Sequence, residues 1–294
     1  MKRSYLLLHI AVILAGFTGV FGKLVTLNEG LLVWYRLFFS SIILFFVFKF
    51  FKQDAAKKLR QKFDIGKIGL LLTLHWIFFY ASIKYSNISI GVVCYCLASL
   101  FTAIFEPLIN KKPFSISQLL LSTLTLIGIS LIFHFDSTYQ VGIILGVISS
   151  AFAALYTIYN ERLVRHYNSI EITYYQVIGG TIGLGALLPL YLHYFPVPGL
   201  IPGINDFLYL LILSSLCTVL LYLLFSESLK YLSAFTVNLS FNLEPIYAIV
   251  LAFLFFNEGK EVNAAFYVGC SFVMASVLLQ SVLSRRERVI AGSA

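Results

Sequence analysis

Charge is what this chain has least of. Only 12% of its 294 residues are Asp, Glu, Lys or Arg, against 60% hydrophobic, whereas a soluble globule carries about 25% charged residues. So little polar surface cannot close a water-soluble domain, and the bilayer is its solvent. Acids are scarcer than bases, 13 against 21. That excess is not a nucleic-acid footprint, because the basic residues gather in short gaps between apolar runs, where they set membrane orientation. Cysteine is rare too. Cys94, Cys96, Cys217 and Cys270 all fall inside apolar runs without zinc-type spacing, so they read as small packing residues rather than a disulfide framework or a metal centre. The sequence also lacks a strong nucleotide-phosphate loop, a metal-ligand cluster or a catalytic-triad spacing, which argues against ATP-driven transport by this chain alone and implies no cofactor.

What is there is a series of apolar runs. Runs of about 17–25 mainly apolar residues are long enough to span a bilayer as helices, and they predict spans near 4–22, 31–51, 67–83, 88–109, 115–134, 140–160, 170–194, 205–226, 233–255 and 263–283. None shows the alternation of a barrel strand. The expected fold is an all-α membrane protein of ten transmembrane helices. Breaks come from Asn28-Glu29-Gly30, Lys111-Lys112-Pro113, Asp136-Ser137 and the Pro196 to Asp206 stretch. The first run follows Met1-Lys2-Arg3 but has no A-x-A cleavage site, so it reads as a retained helix. Residues 51–67 mix lysines with Phe51, Leu59, Phe63 and Ile65, which suits a basic helix lying against anionic headgroups.

Residues 79–85 (F-Y-A-S-I-K-Y) and 225–231 (F-S-E-S-L-K-Y) echo each other across 146 residues. With the N-terminus inside, 17 Lys and Arg fall on the inner side and 3 on the outer, leaving only Arg36 within a span. This places both termini in the cytoplasm. Five helices per half is an odd number, so the second half runs upside down relative to the first. Loop charges agree: the gap after helix two carries seven basic residues, and its counterpart after helix seven, from Pro196 to Asp206, carries none. The expectation is two inverted five-helix repeats, residues 1–136 and 137–294.

With these features the chain resembles the ten-helix drug/metabolite transporter superfamily, of the kind built from two EamA-type domains. The resemblance rests on the Ser-x-Lys-Tyr endings at 82–85 and 228–231, Pro245 fifteen residues beyond Lys230, the run Phe253 to Glu258, and Trp34-Tyr35-Arg36 early in helix two. The first half departs from the pattern, with Ser99 in the proline's place and Lys112 in the glutamate's. The resemblance implies a secondary transporter, often an exporter, of amino acids or other small metabolites in the inner membrane. Some relatives carry a proton-coupling glutamate in the first helix. Here that helix has no acid and offers only His9.

Among candidate site residues, Glu244 falls midway along helix nine, where an ionised side chain costs about 2.5–3.5 kcal/mol on insertion scales. Its neighbour Pro245 frees a backbone acceptor. Asn238 and Asn242 share one helical face, turned about 200° from Glu244, and serve either substrate or interhelical hydrogen bonding. His75 and Trp76 interrupt the apolar middle of helix three and offer a titratable ring and a cation-binding face, or packing. Tyr95 and Tyr156 are the tyrosines expected to line a cavity. Arg36 is expected to snorkel to the outer surface beside Glu29, and Glu106 to form a solvated ion pair with Lys111 and Lys112. The chain then reads as a transporter whose partners are a small metabolite, the lipid bilayer and a proton or another coupling ion. The rival reading is a membrane-embedded enzyme acting on lipid or lipid-linked substrate, which would gather acids, histidines or metal ligands at one interface.

Overall fold

In hydrocarbon a backbone has to satisfy its N–H and C=O groups within its own segment, and the apolar runs fold accordingly. The computed structural model describes residues 2–51, 58–132, 139–248, 268–269, 271–280 and 282, and among them every regular element is helical. The helices are α1 (Lys2–Leu24), α2 (Glu29–Phe50), α3 (Leu59–Tyr85), α4 (Ile88–Tyr95), α5 (Leu97–Asn110), α6 (Ile116–Ile132), α7 (Gln140–Leu163), α8 (Ser169–Tyr194), α9 (Ile204–Ser214), α10 (Leu221–Leu229) and α11 (Ala234–Phe241). A shorter helix, α12, covers Ser271–Gln280. Seven runs are long and apolar enough to cross a membrane, counting 90–110 and 204–229 as one run each. α6, α11 and α12 fall in the other three predicted spans. The run Phe253 to Glu258, Cys270 and the boundary at 136 and 137 lie outside the described residues.

Asparagines start several helices, because their side-chain oxygens accept a first-turn N–H that has no partner in the helix. Asn28 accepts from Leu31, Asn87 from Ile90 and Asn168 from Glu171, at 2.8–2.9 Å. α3 begins eight residues earlier than its apolar run predicts. Residues 59–66 continue the helix, with Phe63 exposed and Lys62 over the Tyr175 ring of α8. Glycine draws α3 and α8 together: a Cβ on Gly69 would stand 2.0 Å from the Gln176 carbonyl oxygen, and one on Gly179 2.3 Å from that of Gly66.

The packing is reciprocal. α3 lies against α7 and α8, while the α9–α10 run lies against α1 and α2. Helices four and nine are both broken rather than continuous. At Cys96 and again at Asn242 the N–H turns to the carbonyl three residues back. These breaks stand 146 residues apart, the offset of the sequence echo, and they touch: Cys96 Sγ lies 3.9 Å from the Asn242 carbonyl oxygen. The predicted helix eight is also irregular, because Ser215–Leu220 forms a π turn between α9 and α10. Outward faces are apolar, with Phe46, Ile182, Leu187 and Leu278 at least 58% exposed, as lipid contact requires.

One end of the bundle gathers Lys111, Lys112, Arg162, Arg165 and Lys230, and is called the basic end below. There Arg162 at the foot of α7 donates to Asn110 Oδ1 at 2.9 Å and to the Ile109 carbonyl at 2.9 Å. Ser228 Oγ donates to the Ser4 carbonyl at 3.2 Å. The opposite end is tied as well: Thr26 donates to both oxygens of Asp206, from its backbone at 2.9 Å and its hydroxyl at 2.7 Å.

Candidate functional site

The two helix breaks and the π turn bring irregular backbone to the middle of the bundle, around a cavity. One chamber is lined by Arg36, His75, Trp76, Tyr95, Tyr222 and Glu244, with Ala15, Thr18, Phe79, Leu221 and Phe241. A second shares His75, Tyr95, Tyr222 and Phe241 and extends to Tyr156, Thr157 and Phe225. Five of the seven predicted site residues thus border the cavity: Glu244, His75, Trp76, Tyr95 and Tyr156. Asn238 and Asn242 do not.

Arg36 corrects the expectation drawn for it. Seven residues into α2, it points inward and is 1% exposed, while Glu29 accepts from Tyr191 Oη at 2.6 Å. Its guanidinium is held by the π turn. That turn moves the Leu221 N–H onto the Leu216 carbonyl, and the Cys217 carbonyl accepts from Arg36 Nη2 at 2.6 Å. Thr218 Oγ1 donates to Leu213 and accepts from Arg36 Nε at 2.7 Å. Tyr80 Oη accepts from Nη1 at 2.8 Å, and the guanidinium lies 3.7 Å from the centre of the Trp76 ring. These partners are all neutral, so the positive charge is positioned but not cancelled. The rings that carry it stack in turn, Trp76 edge-on to Tyr222 at 5.5 Å.

Glu244 stands just past the break at Asn242 and borders the same chamber, 4% exposed. Among the described residues no hydrogen bond or ion pair engages its carboxylate, and Arg36 and Glu244 do not pair with each other. One cavity thus presents a guanidinium and a carboxyl group that are not paired with each other.

The walls between them are aromatic. Tyr95 packs on His75 at 5.2 Å and Phe241 at 6.2 Å, and Tyr156 stacks on Phe225 at 5.9 Å. Tyr156 Oη donates to Gln176 Oε1 at 2.9 Å. His75 Nδ1 lies 2.8 Å from Ser149 Oγ, whose own proton is committed to the His75 carbonyl at 2.9 Å. Nδ1 therefore carries a hydrogen, and Nε2 is the position free to face a ligand.

The asparagines bridge helices instead. Asn238 donates to Thr102 Oγ1 at 2.7 Å and accepts from Thr157 Oγ1 at 2.9 Å. Asn242 donates to Ser99 Oγ at 3.1 Å and Thr125 Oγ1 at 3.3 Å. Sequence reasoning missed Arg36 as a cavity residue, and weighed Tyr222 for a cavity wall without choosing it. A lone charge inside an apolar run is the signal that finds Arg36.

Comparison with known proteins gives this architecture a family. The model of the EamA-like transporter family matches residues 2–134 and again residues 140–282. An uncharacterized transporter of Haemophilus influenzae is 26% identical over 272 residues, covering 87% of this chain and 86% of its own length. One from Archaeoglobus fulgidus is 22% identical over 95% of this chain and 96% of its own. The uncharacterized transporter YdfC of Bacillus subtilis is 27% identical over 202 residues, 66% of this chain and 65% of its own. A solved crystal structure superposes with a TM-score of 0.74 at 15% identity, covering 97% of this chain and 99% of that one, a likeness of fold. An all-helical bundle of membrane-length apolar helices, matched twice by one family model, makes this chain a member of the EamA-like transporter family.

Proposed function

We propose that this membrane transporter is a secondary carrier of small zwitterionic metabolites, amino acids foremost, and that it works as an exporter across the inner membrane with both termini cytoplasmic. The observation that carries the reading is a guanidinium and a carboxyl group on one cavity, not paired with each other. Arg36 takes the substrate carboxylate, Glu244 takes the ammonium group, and the box of Trp76, Tyr95, Tyr222 and Phe241 takes an apolar side chain. Two inverted repeats, 1–136 and 137–294, rock about this site to give alternating access. Their reciprocal packing and the touching breaks at Cys96 and Asn242 support that reading.

The test uses Trp76, one of only two tryptophans. With Trp34→Phe, its fluorescence reports binding as an amino-acid panel is titrated, alongside uptake of the same compounds into proteoliposomes with and without a pH gradient. Glu244→Gln and Arg36→Gln are each expected to weaken binding about 10–100-fold, the worth of a hydrogen bond to a charged group. Amides or amines lacking one charge should bind less tightly to the wild type and lose less in the matching variant. Wild-type affinity in both variants overturns the charge-pair reading. Turnover of a lipid substrate with no solute movement favours a membrane-embedded enzyme.

A further inference from the structure

Toward the basic end the cavity is bounded by Thr157 of α7 and Phe241 of α11, and beyond it α5, α7 and α11 pack against one another along a polar seam. Three layers make it up. Nearest the cavity, Asn242 donates to Ser99. One turn on, Asn238 joins Thr102 and Thr157. At the mouth, Glu161 Oε2 accepts from the Ala234 N–H at 3.2 Å and Glu106 accepts from Lys112 at 3.2 Å.

We propose that this seam is the substrate's route between the central cavity and the basic end, parting to a water-filled half-channel that passes small polar solutes. The proposal rests on the reading of the cavity as the substrate site. Its first support is polar groups stranded in the closed seam: Glu106 Oε2 and Asn242 Oδ1 are buried without a hydrogen-bond partner. In a permanently dry bundle such atoms are unfavourable, whereas water in a parted seam satisfies them. The second support is that nothing in the architecture demands polarity there. The equivalent positions of the other half are Gly19 for Thr157, by the 138-residue offset that relates the Ser82–Gly142 and Ser228–Ser4 contacts, and, 146 residues away, Val92 for Asn238, Cys96 for Asn242 and Ala248 for Thr102. They form a corresponding contact of α1 with α4 and with residues 247 and 248, and all are buried. The fold is content with a dry seam, so the polar one has another reason. Hydroxyls, amides and carboxylates together supply donors and acceptors of both kinds, matching a solute that carries both charges.

The test is solvent access in the full-length chain. In a background with the four native cysteines replaced and reconstituted in proteoliposomes, single cysteines are placed at Thr102, Asn238, Ala248 and Val92 and exposed to a membrane-impermeant methanethiosulfonate. Thr102→Cys and Asn238→Cys should react about tenfold or more faster than Ala248→Cys and Val92→Cys, from the side of the basic end. Equal or slower reaction overturns the route. If that background fails to fold, amide hydrogen exchange of the unmodified protein decides: residues 97–106 and 234–242 exchange faster than α4 if the seam opens, and no faster if it does not. Neither readout needs a substrate. Fast labelling together with wild-type binding in the Arg36 and Glu244 variants removes the charge-pair reading and leaves the route, and the reverse pattern does the opposite.

Discussion

Two seams leave the central cavity, one lined by Thr102, Thr157, Asn238 and Asn242, the other, in the equivalent places, by Ala248, Gly19, Val92 and Cys96. Position for position their chemistry is opposite. In the dry seam small residues let backbones approach: a Cβ on Gly16 would meet Tyr247 Cβ at 3.1 Å and the Ala248 nitrogen at 3.3 Å. Its cohesion is close van der Waals contact, which needs no partner and fails only by overfilling. In the polar seam cohesion comes from interhelical hydrogen bonds, worth about 0.6 kcal/mol each on average in membranes. Water can replace those bonds but not tight packing. A duplicated fold has thus kept one contact suited to staying shut and given the other the chemistry to open.

The contrast breaks most visibly if the dry seam is overfilled. Ala248→Leu, at a buried position, is expected to cost about 1–3 kcal/mol, read as a shift in the denaturant midpoint of the purified protein in mixed micelles. At the matching position in the polar seam Thr102→Phe adds slightly more bulk, and should cost less if that seam can part to accommodate it. Equal losses would mean that both seams are equally rigid.

Much of this was legible in the sequence, for a physical reason. A bilayer imposes uniform composition over each span, so apolar runs announce helices, and any charge within one stands out. Glu244 was visible on that ground. Asn242 and Glu244 do have different neighbours, the asparagine in the seam and the glutamate at the cavity. Arg36 was equally visible as a charge but was assigned to the outer surface, because nothing in Ser215–Leu220 announces a π turn whose carbonyl and hydroxyl wait for a guanidinium. Tyr222 was hidden among 18 tyrosines. The helix break at Cys96 was illegible for a similar reason: composition sets where a helix runs, while packing against a distant segment sets where it bends. The break at Asn242 lies beside Pro245, whose freed backbone acceptor the sequence announced. The early start of α3 follows from glycine contacts with α8 that local hydropathy does not encode.

Within the polar seam, the smaller substitution should be the more damaging to stability. Thr157→Val removes the donor to Asn238 Oδ1, leaving a buried acceptor unpaired, at about 1–2 kcal/mol. Asn238→Leu removes more atoms, but the single Thr157 hydroxyl proton then goes to the Ala153 carbonyl and Thr102 keeps its bond to the Ala98 carbonyl, so its cost is about 0–1 kcal/mol. Asn238→Leu should slow uptake while leaving the affinity reported by Trp76 unchanged, since Asn238 borders neither chamber. A larger stability loss for Asn238→Leu than for Thr157→Val would show that the seam coheres by packing, like its dry counterpart.

The smallest effect on stability belongs to the mouth. Lys112 is half exposed and pairs with a largely buried Glu106, and such pairs contribute about 0–1 kcal/mol. Lys112→Ala should therefore leave the unfolding midpoint almost unmoved. Its consequence is kinetic and local: Glu106, which already has one buried oxygen without a partner, loses the partner of the other and gains more from water than from the closed seam. The reactivity of Thr102→Cys from the basic end should rise, while that of Val92→Cys in the dry seam should not. A rise at both positions would mean that Lys112 holds the whole bundle together rather than one of its two seams.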